Sequence, residues 1–175
     1  MINDKRTFGD YFGPYGMVAE KGVPNNGVIR LRRTDVQAVY DLVKGKEVPF
    51  RKRGDFTEIA VNFSTNDGRF YLILPQKIRA LNGTLSSGKV TRGGSVTVQA
   101  VLEGSRSRIR SLHPVQLTVT DPAGRITDDS TFGVVENGVY QQKILIPLDG
   151  KIGLWRATLR ELASGKSRTL SFRVH

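Results

Sequence analysis

The 175-residue sequence has no cysteine, only two histidines and no long apolar run. Because cysteine is absent, a disulfide framework and a thiolate metal site are both excluded. No apolar run approaches the roughly 20 residues of a membrane-spanning helix, so we expect no membrane partner. The N-terminal residues lack the apolar core of a signal peptide. We therefore expect either a cytosolic protein or part of a longer secreted chain, which would be extracellular or periplasmic.

Residues suited to catalysis are equally scarce. Serine hydrolases need a histidine held by a carboxylate, but His113 precedes a proline in a basic region that we interpret as a loop, and His175 is the last residue. Asp128 and Asp129 are adjacent, so on a strand they would point to opposite faces, and we interpret them as turn residues or, as the less favoured alternative, as a weak cation site. No glycine-rich phosphate loop or EF-hand pattern occurs. We predict no catalytic residue, no metal ligand, no cofactor and no enzymatic activity.

Positive charge is what the chain has in excess, with a formal net charge of +11. Residues 1–76 contribute about +3 of it and residues 77–175 about +8. Such a surface attracts polyanions, although a soluble β surface rich in arginine and lysine explains the composition equally well. Nucleic acid is the less favoured partner, because single-strand platforms interleave basic with aromatic residues and the basic clusters here contain none. The candidate polyanion or glycan contacts are Arg51, Lys52, Arg53, Arg106, Arg108 and Arg110.

Two tyrosines near the N-terminus are further candidates. Tyr11 and Tyr15 lie among glycines and a proline, a composition typical of irregular chain. They form a sugar-stacking or interface patch or, as the favoured interpretation, they plug the adjacent sandwich or contact a neighbouring domain.

The first half has the pattern of short β-strands. In Phe56–Phe63, residues Ile59, Val61 and Phe63 share one face at period two. A turn is predicted at residues 24–27, and a single return strand at Glu47–Arg53 with an edge-type proline. Arg69–Leu74 has the apolar character of a strand buried on both faces, and Pro75 ends it.

The second half has a clearer alternation, with about seven strands in 95 residues. Trp155, Ala157 and Leu159 are predicted to point inward together, as the alternating apolar residues of Ser95–Glu103 and Pro114–Thr120 are. Trp155 is interpreted as core rather than as a sugar platform. A short edge strand is expected within residues 126–132.

Polar residues 76–79 are interpreted as a linker. They divide the chain into a small β-sandwich domain with an irregular N-terminal segment, residues 1–76, and an immunoglobulin-like β-sandwich, residues 77–175. The predicted fold class is all-β, with two antiparallel β-sandwich domains.

Two stretches resemble known families. Residues 36–75, with AVYDLVKGKEVPF, IAVNF and DGRFYLILP, resemble the C-terminal β-sandwich of bacterial glycoside hydrolases. Residues 78–175, with LTVTDPAG and GLWRATLRE followed by SGK, are similar to macroglobulin-like and other immunoglobulin-like modules of large extracellular bacterial proteins. Without a cysteine pair, Trp155 has no disulfide to pack against, unlike its counterpart in antibody domains.

The resemblance implies a non-catalytic accessory segment of a carbohydrate-active enzyme or a large extracellular protein, with an adjacent catalytic domain or a polysaccharide as partner. One alternative is a polysaccharide-binding module. A second is a nucleic-acid-binding protein that uses its basic surface.

Overall fold

The computed structural model describes the backbone of residues 6–12, 17–64 and 67–175, and the side chains of residues 23–64 and 67–175. The described residues form strands, turns and bends without a helix, so the predicted all-β fold is confirmed. Over the same residues, no helix is long and apolar enough to cross a membrane. The chain forms two compact units, unit 1 (Met1–Pro75) and unit 2 (Gln76–His175).

Unit 1 contains short strands in three small antiparallel sheets, ordered β1-β2, β3-β7-β6 and β5-β4-β8. The strands are β1 (Arg6–Phe12), β2 (Met17–Gly22), β3 (Asn25–Leu31), β4 (Ala38–Asp41), β5 (Lys46–Glu47), β6 (Arg51–Arg53), β7 (Phe56–Phe63) and β8 (Tyr71–Leu74).

Strand β7 supplies much of the apolar interior of unit 1. Its Ile59, Val61 and Phe63 are buried, which confirms the predicted inward face. Ile59 packs with Val36 and Val39. Burial of such side chains is the main favourable term that holds a small sandwich together.

Two turn and strand predictions for unit 1 are wrong. Residues 24–27 are not a turn, because β3 begins at Asn25, which pairs with Phe63. The single return strand at Glu47–Arg53 is instead two strands in different sheets: β5 pairs with β4 and β6 pairs with β7. The chain changes sheets at Pro49, whose missing N–H interrupts a continuous ladder.

The interpretation of Arg69–Leu74 as a strand buried on both faces is also wrong. Strand β8 covers only Tyr71–Leu74, and Phe70 is 66% exposed. Arg69, just before this strand, is buried instead. Its Nε lies 3.5 Å from Oδ2 of Asp41, and its Nη1 contacts Asp67.

The strands of unit 2 form a three-stranded sheet, β14-β11-β9, and a five-stranded sheet, β10-β16-β15-β12-β13. All pairs are antiparallel except β10 with β16. The strands are β9 (Ile78–Leu85), β10 (Lys89–Val90), β11 (Ser95–Gly104), β12 (His113–Thr120), β13 (Thr131–Val135), β14 (Val139–Leu145), β15 (Gly153–Glu161) and β16 (Ser167–Val174).

The inward faces of unit 2 agree with the predicted alternation. Trp155 is 2% exposed, and Ala157 and Leu159 are fully buried, so Trp155 is a core residue. Its ring stacks on Phe172 at 6.2 Å between centroids, and its Nε1 donates a hydrogen bond of 2.8 Å to the carbonyl of Lys151.

Two boundaries and the number of strands in unit 2 differ from the prediction. The expected linker is partly strand, because β9 begins at Ile78, which is 1% exposed. The edge strand expected within residues 126–132 is β13 (Thr131–Val135), since Asp128 and Asp129 occupy a turn, as predicted for them. Eight strands are described where about seven were expected.

Candidate functional site

His113 lies inside unit 2, so its interpretation as a loop residue is wrong. It is the first residue of β12 and is fully buried. Its Nδ1 is 3.3 Å from Oε1 of Glu161, and its Nε2 is 2.9 Å from Oγ of the exposed Ser111. Glu161 ends β15 and is fully buried as well.

The carboxylate of Glu161 also closes the turn between β15 and β16. Its oxygens accept hydrogen bonds from the backbone N–H of Ala163 at 3.0 Å and of Ser164 at 2.7 Å, and from the Ser164 hydroxyl. Burial alone would raise the pKa of Glu161, but the hydrogen bonds from His113 and Ser164 lower this pKa below its usual value.

Ser111 contacts His113, which contacts Glu161, and the same sequence of contacts from serine to histidine to carboxylate occurs in hydrolase triads. Here, however, Glu161 is occupied by the N–H groups of its own turn, and His113 connects that turn to the start of β12. The arrangement therefore holds the β15–β16 hairpin against β12, which is a structural role.

The basic cluster Arg106, Arg108 and Arg110 lies on a loop with a defined conformation. Oε1 of Gln76 accepts hydrogen bonds from the backbone N–H of Arg106 at 3.3 Å and of Ser107 at 3.2 Å. The buried Ile109 anchors the end of the loop.

Two open cavities adjoin this loop. One, of about 680 Å³, is lined by Ser107, Arg108, Arg110 and Asn137. The other, of about 430 Å³, includes Arg79 beside Arg106 and Arg108 among its lining residues. Three arginines of the loop and Arg79 of β9 thus line neighbouring cavities, and Arg79 was not predicted to join them.

The other predicted contacts do not form one patch. Arg51, Lys52 and Arg53 are exposed on β6, where alternation sends Lys52 to the opposite face from its two neighbours. Lys52 Nζ donates to the carbonyl of Thr34 at 3.1 Å. The side chain of Tyr11 and the whole of Tyr15 lie outside the described residues.

A further polar surface is formed by the side of the five-stranded sheet that faces away from the core, which we call the outer face. The register places Phe132, Gln116 and Arg160 side by side on β13, β12 and β15, and Arg156 beside Ser171 on β16. The cations of the outer face are Lys89, Arg156, Arg160 and Arg173, and its hydroxyl and amide side chains are Gln116, Thr118, Thr120, Thr158, Ser167, Thr169 and Ser171.

The outer face carries charge of one sign. None of the described residues that the register places there is Asp or Glu. Arg156, Arg160 and Arg173 are exposed, and within the described part of the chain no carboxylate pairs with them. Phe132, at the edge of the same face, is 71% exposed.

Sequence reasoning missed the outer face, although the signal was present. The alternation that assigns Trp155, Ala157 and Leu159 inward also assigns Arg156 and Arg160 outward. The pairing of strands distant in sequence, which brings Phe132 into the same row, is visible only in the fold.

A metal centre is not formed by the described side chains. Among residues 23–64 and 67–175, no three His, Cys, Asp or Glu side chains are grouped so that they could hold an ion.

Part of the chain matches a known protein family. Residues 91–174 match the model of the MG2 domain, and this range lies within unit 2. MG2 domains are non-catalytic and immunoglobulin-like. The match supports the resemblance of the second half to macroglobulin-like modules. The resemblance of residues 36–75 to glycoside hydrolase sandwiches stays a prediction. No curated protein matches the chain significantly.

Solved structures give distant likenesses. A beta-glucosidase from Listeria innocua matches with a TM-score of 0.36 and 16% identity, over 54% of this chain and 16% of that one. The adhesin InvE of Yersinia pseudotuberculosis matches with a TM-score of 0.42 and 9% identity, over 87% of this chain and 49% of that one. The chain thus spans less than half the length of either protein. Likenesses at this level carry no argument about function.

Proposed function

We propose that the chain is a non-catalytic accessory segment that stabilises or positions a neighbouring domain of a larger extracellular protein, such as a carbohydrate-active enzyme. The observation that carries this proposal is the MG2 match over residues 91–174, because MG2 domains are non-catalytic and occur in extracellular proteins.

The structural use of His113 and Glu161 supports the same conclusion. Both side chains are fully buried, and the carboxylate is engaged by backbone N–H groups of its own turn. A serine nucleophile needs a histidine that is free to take up and release a proton beside the substrate.

Activity assays test the non-catalytic part of the proposal. The purified chain is incubated with a panel of aryl glycosides and esters, beside the variant Ser111→Ala, which removes the hydroxyl that contacts His113. We expect no turnover above background from either protein. Turnover that survives repurification and disappears in Ser111→Ala would overturn the proposal.

The accessory role is tested on the native protein. An antibody raised against the chain, applied to producing cells and their medium, gives the mass and location of the polypeptide that contains it. A secreted polypeptide well above 19.4 kDa is expected. A polypeptide of 19.4 kDa confined to the cytosol would contradict this role.

A polysaccharide-binding module is the second candidate function. The outer face favours it, because exposed cations, hydroxyl groups and an aromatic ring lie together on one sheet.

A further inference from the structure

The outer face of the five-stranded sheet in unit 2 has the chemistry of a binding surface for an extended, acidic polymer. We propose that it binds a polysaccharide that carries carboxylate or sulfate groups. In this proposal Arg156, Arg160 and Arg173 hold the acidic groups, the threonine and serine hydroxyls bind sugar hydroxyls, and Phe132 stacks on a sugar ring. The proposal deepens the polysaccharide-binding candidate and rests on it, and it is independent of the accessory role.

The sign of the charge is the first argument. Arg156, Arg160 and Arg173 project from β15 and β16, and the outer face contributes no described carboxylate to neutralise them. A planar guanidinium forms paired hydrogen bonds with carboxylate and with similar oxyanions. An acidic ligand would therefore replace water around cations that no described carboxylate pairs with.

The spacing of the cations is the second argument. Arg156 and Arg160 are four residues apart on β15, which corresponds to about 14 Å along an extended strand. Arg173 is paired with Leu154, so it lies diagonally from Arg156 at about 7–8 Å between Cα atoms. Duplex DNA carries one phosphate charge per about 3.4 Å of helix axis on each strand, so a duplex lying along the sheet would present more charges than these three cations can match over about 14 Å. A polymer with one acidic group per one or two sugars matches the wider spacing better.

The groups between the cations are the third argument. Thr158 lies between Arg156 and Arg160 on the outer side of β15, and its hydroxyl is 3.1 Å from that of Thr169. Hydroxyls that both donate and accept suit the many hydroxyls of a sugar. The core of a protein interface is typically aromatic and apolar, and nucleic-acid platforms stack successive bases on several aromatic rings. The outer face has a hydroxyl-rich centre, and its exposed apolar side chains lie at the margins: Phe132 and Val134 on the edge strand β13, and Leu154 opposite Arg173.

Phe132 adds a contact that does not depend on charge. Phe132 is opposite Gln116, which in turn is opposite Arg160, so the backbones of Phe132 and Arg160 lie about 10 Å apart across two strand spacings. The distance allows one sugar to stack on the ring while a nearby acidic group reaches Arg160.

Two triple variants of the full chain, each of which removes three positive charges, test the proposal. The outer-face variant is Arg156→Ser, Arg160→Ser and Arg173→Ser. The matched control is Arg106→Ser, Arg108→Ser and Arg110→Ser on the loop of unit 2. All six positions are exposed, and thermal melts verify that both variants are folded.

Binding is measured at about 150 mM salt, where exposed charges farther apart than about 8 Å are largely screened. The probes are dextran sulfate against neutral dextran, polygalacturonate against its methyl ester, and a DNA duplex. We expect the wild type to bind at least one acidic polysaccharide and neither neutral polymer. The outer-face variant should lose about tenfold in affinity, and the loop variant less than about threefold. The two acidic probes show whether sulfate or carboxylate is preferred.

Phe132→Ala separates recognition from charge. Loss of ring stacking should lower the affinity for the acidic polysaccharide by about threefold to tenfold without changing the net charge. The proposal is overturned if both triple variants lose affinity equally, if DNA binds more tightly than either acidic polysaccharide, or if no acidic probe binds. None of these outcomes affects the assays for the accessory role.

Discussion

The imidazole of His113 and the carboxylate of Glu161 meet inside unit 2, 3.3 Å apart, although 48 residues separate them in the sequence. Because the same carboxylate closes the turn after β15, this contact joins a local turn to a distant strand. Leaving a buried carboxylate without one of its hydrogen-bond donors usually costs several kcal/mol. The pair is therefore expected to control the stability of unit 2 more than any surface charge.

Glu161→Gln should make the stability of unit 2 less dependent on acid pH. The pKa of Glu161 is lowered in the folded state, so its ionised form stabilises the fold above the ordinary glutamate pKa. This contribution is lost as the pH falls through the lowered pKa. We expect the variant to lose about 3 kcal/mol at pH 7, and the difference from wild type to shrink toward pH 3. Urea melts at both values measure it, with exposed Glu136→Gln as control. A difference that does not change with pH would contradict the prediction.

Trp155→Ala should destabilise unit 2 by about 3–5 kcal/mol, because it deletes a large buried aromatic ring. Trp155→Phe keeps a ring against Phe172 but loses the hydrogen bond to the carbonyl of Lys151, and should cost less than the alanine variant. Urea melts followed by circular dichroism give both values. A loss under about 1 kcal/mol in the alanine variant would contradict the burial of Trp155.

The sequence predicts much of unit 2 because alternation at period two is a local property. The same alternation that assigns Trp155, Ala157 and Leu159 inward continues to Glu161, so a buried carboxylate could have been found as a polar residue at an inward position. Its partner could not, because His113 precedes a proline and resembles a loop residue until β12 and β15 are paired. Contacts between distant strands are set by the whole fold.

Unit 1 was less predictable for a related physical reason. The change of sheet at Pro49 depends on which neighbours are available to β5 and β6, and the pattern of residues 47–53 alone does not contain that information. The same limit applies to the candidate contacts. The arginines on the loop of unit 2 can be recognised from the sequence, whereas the outer face can be recognised only when the pairing of β12, β13, β15 and β16 is known.

Gly138→Ala should destabilise unit 2 more than Gly124→Ala. Both glycines have positive φ, +77° and +79°, so each substitution carries a backbone cost of about 1 kcal/mol. A Cβ at Gly138 would also lie 2.1 Å from Cγ of Arg108 and 2.6 Å from the carbonyl oxygen of Ile109, whereas a Cβ at Gly124 meets nothing within 4 Å. The extra crowding adds about 1–3 kcal/mol. Equal losses in urea melts would show that the loop does not pack on the turn as described.

Arg69→Met should destabilise unit 1, because it removes the cation beside the buried carboxylate of Asp41. That carboxylate is only 3% exposed and accepts hydrogen bonds from the backbone N–H of Val43 at 2.9 Å and of Lys44 at 3.0 Å. A buried charge that loses its partner typically costs about 3–5 kcal/mol. The surface pair Arg33–Asp35 provides the control: its side chains are 44% and 53% exposed, so Arg33→Met should cost less than about 1 kcal/mol.

Hydrogen exchange at the backbone amide of Ile59, in the core of unit 1, measures both effects without interference from the melting of unit 2. Protection should fall strongly in Arg69→Met and little in Arg33→Met. The double variant Arg69→Met, Asp41→Asn should recover part of the lost protection, since the uncompensated carboxylate is then gone. If Arg69→Met exchanges as slowly as wild type, the cation does not stabilise unit 1. If the loss of protection in the double variant equals the sum of the losses in Arg69→Met and Asp41→Asn, the two side chains are not energetically coupled.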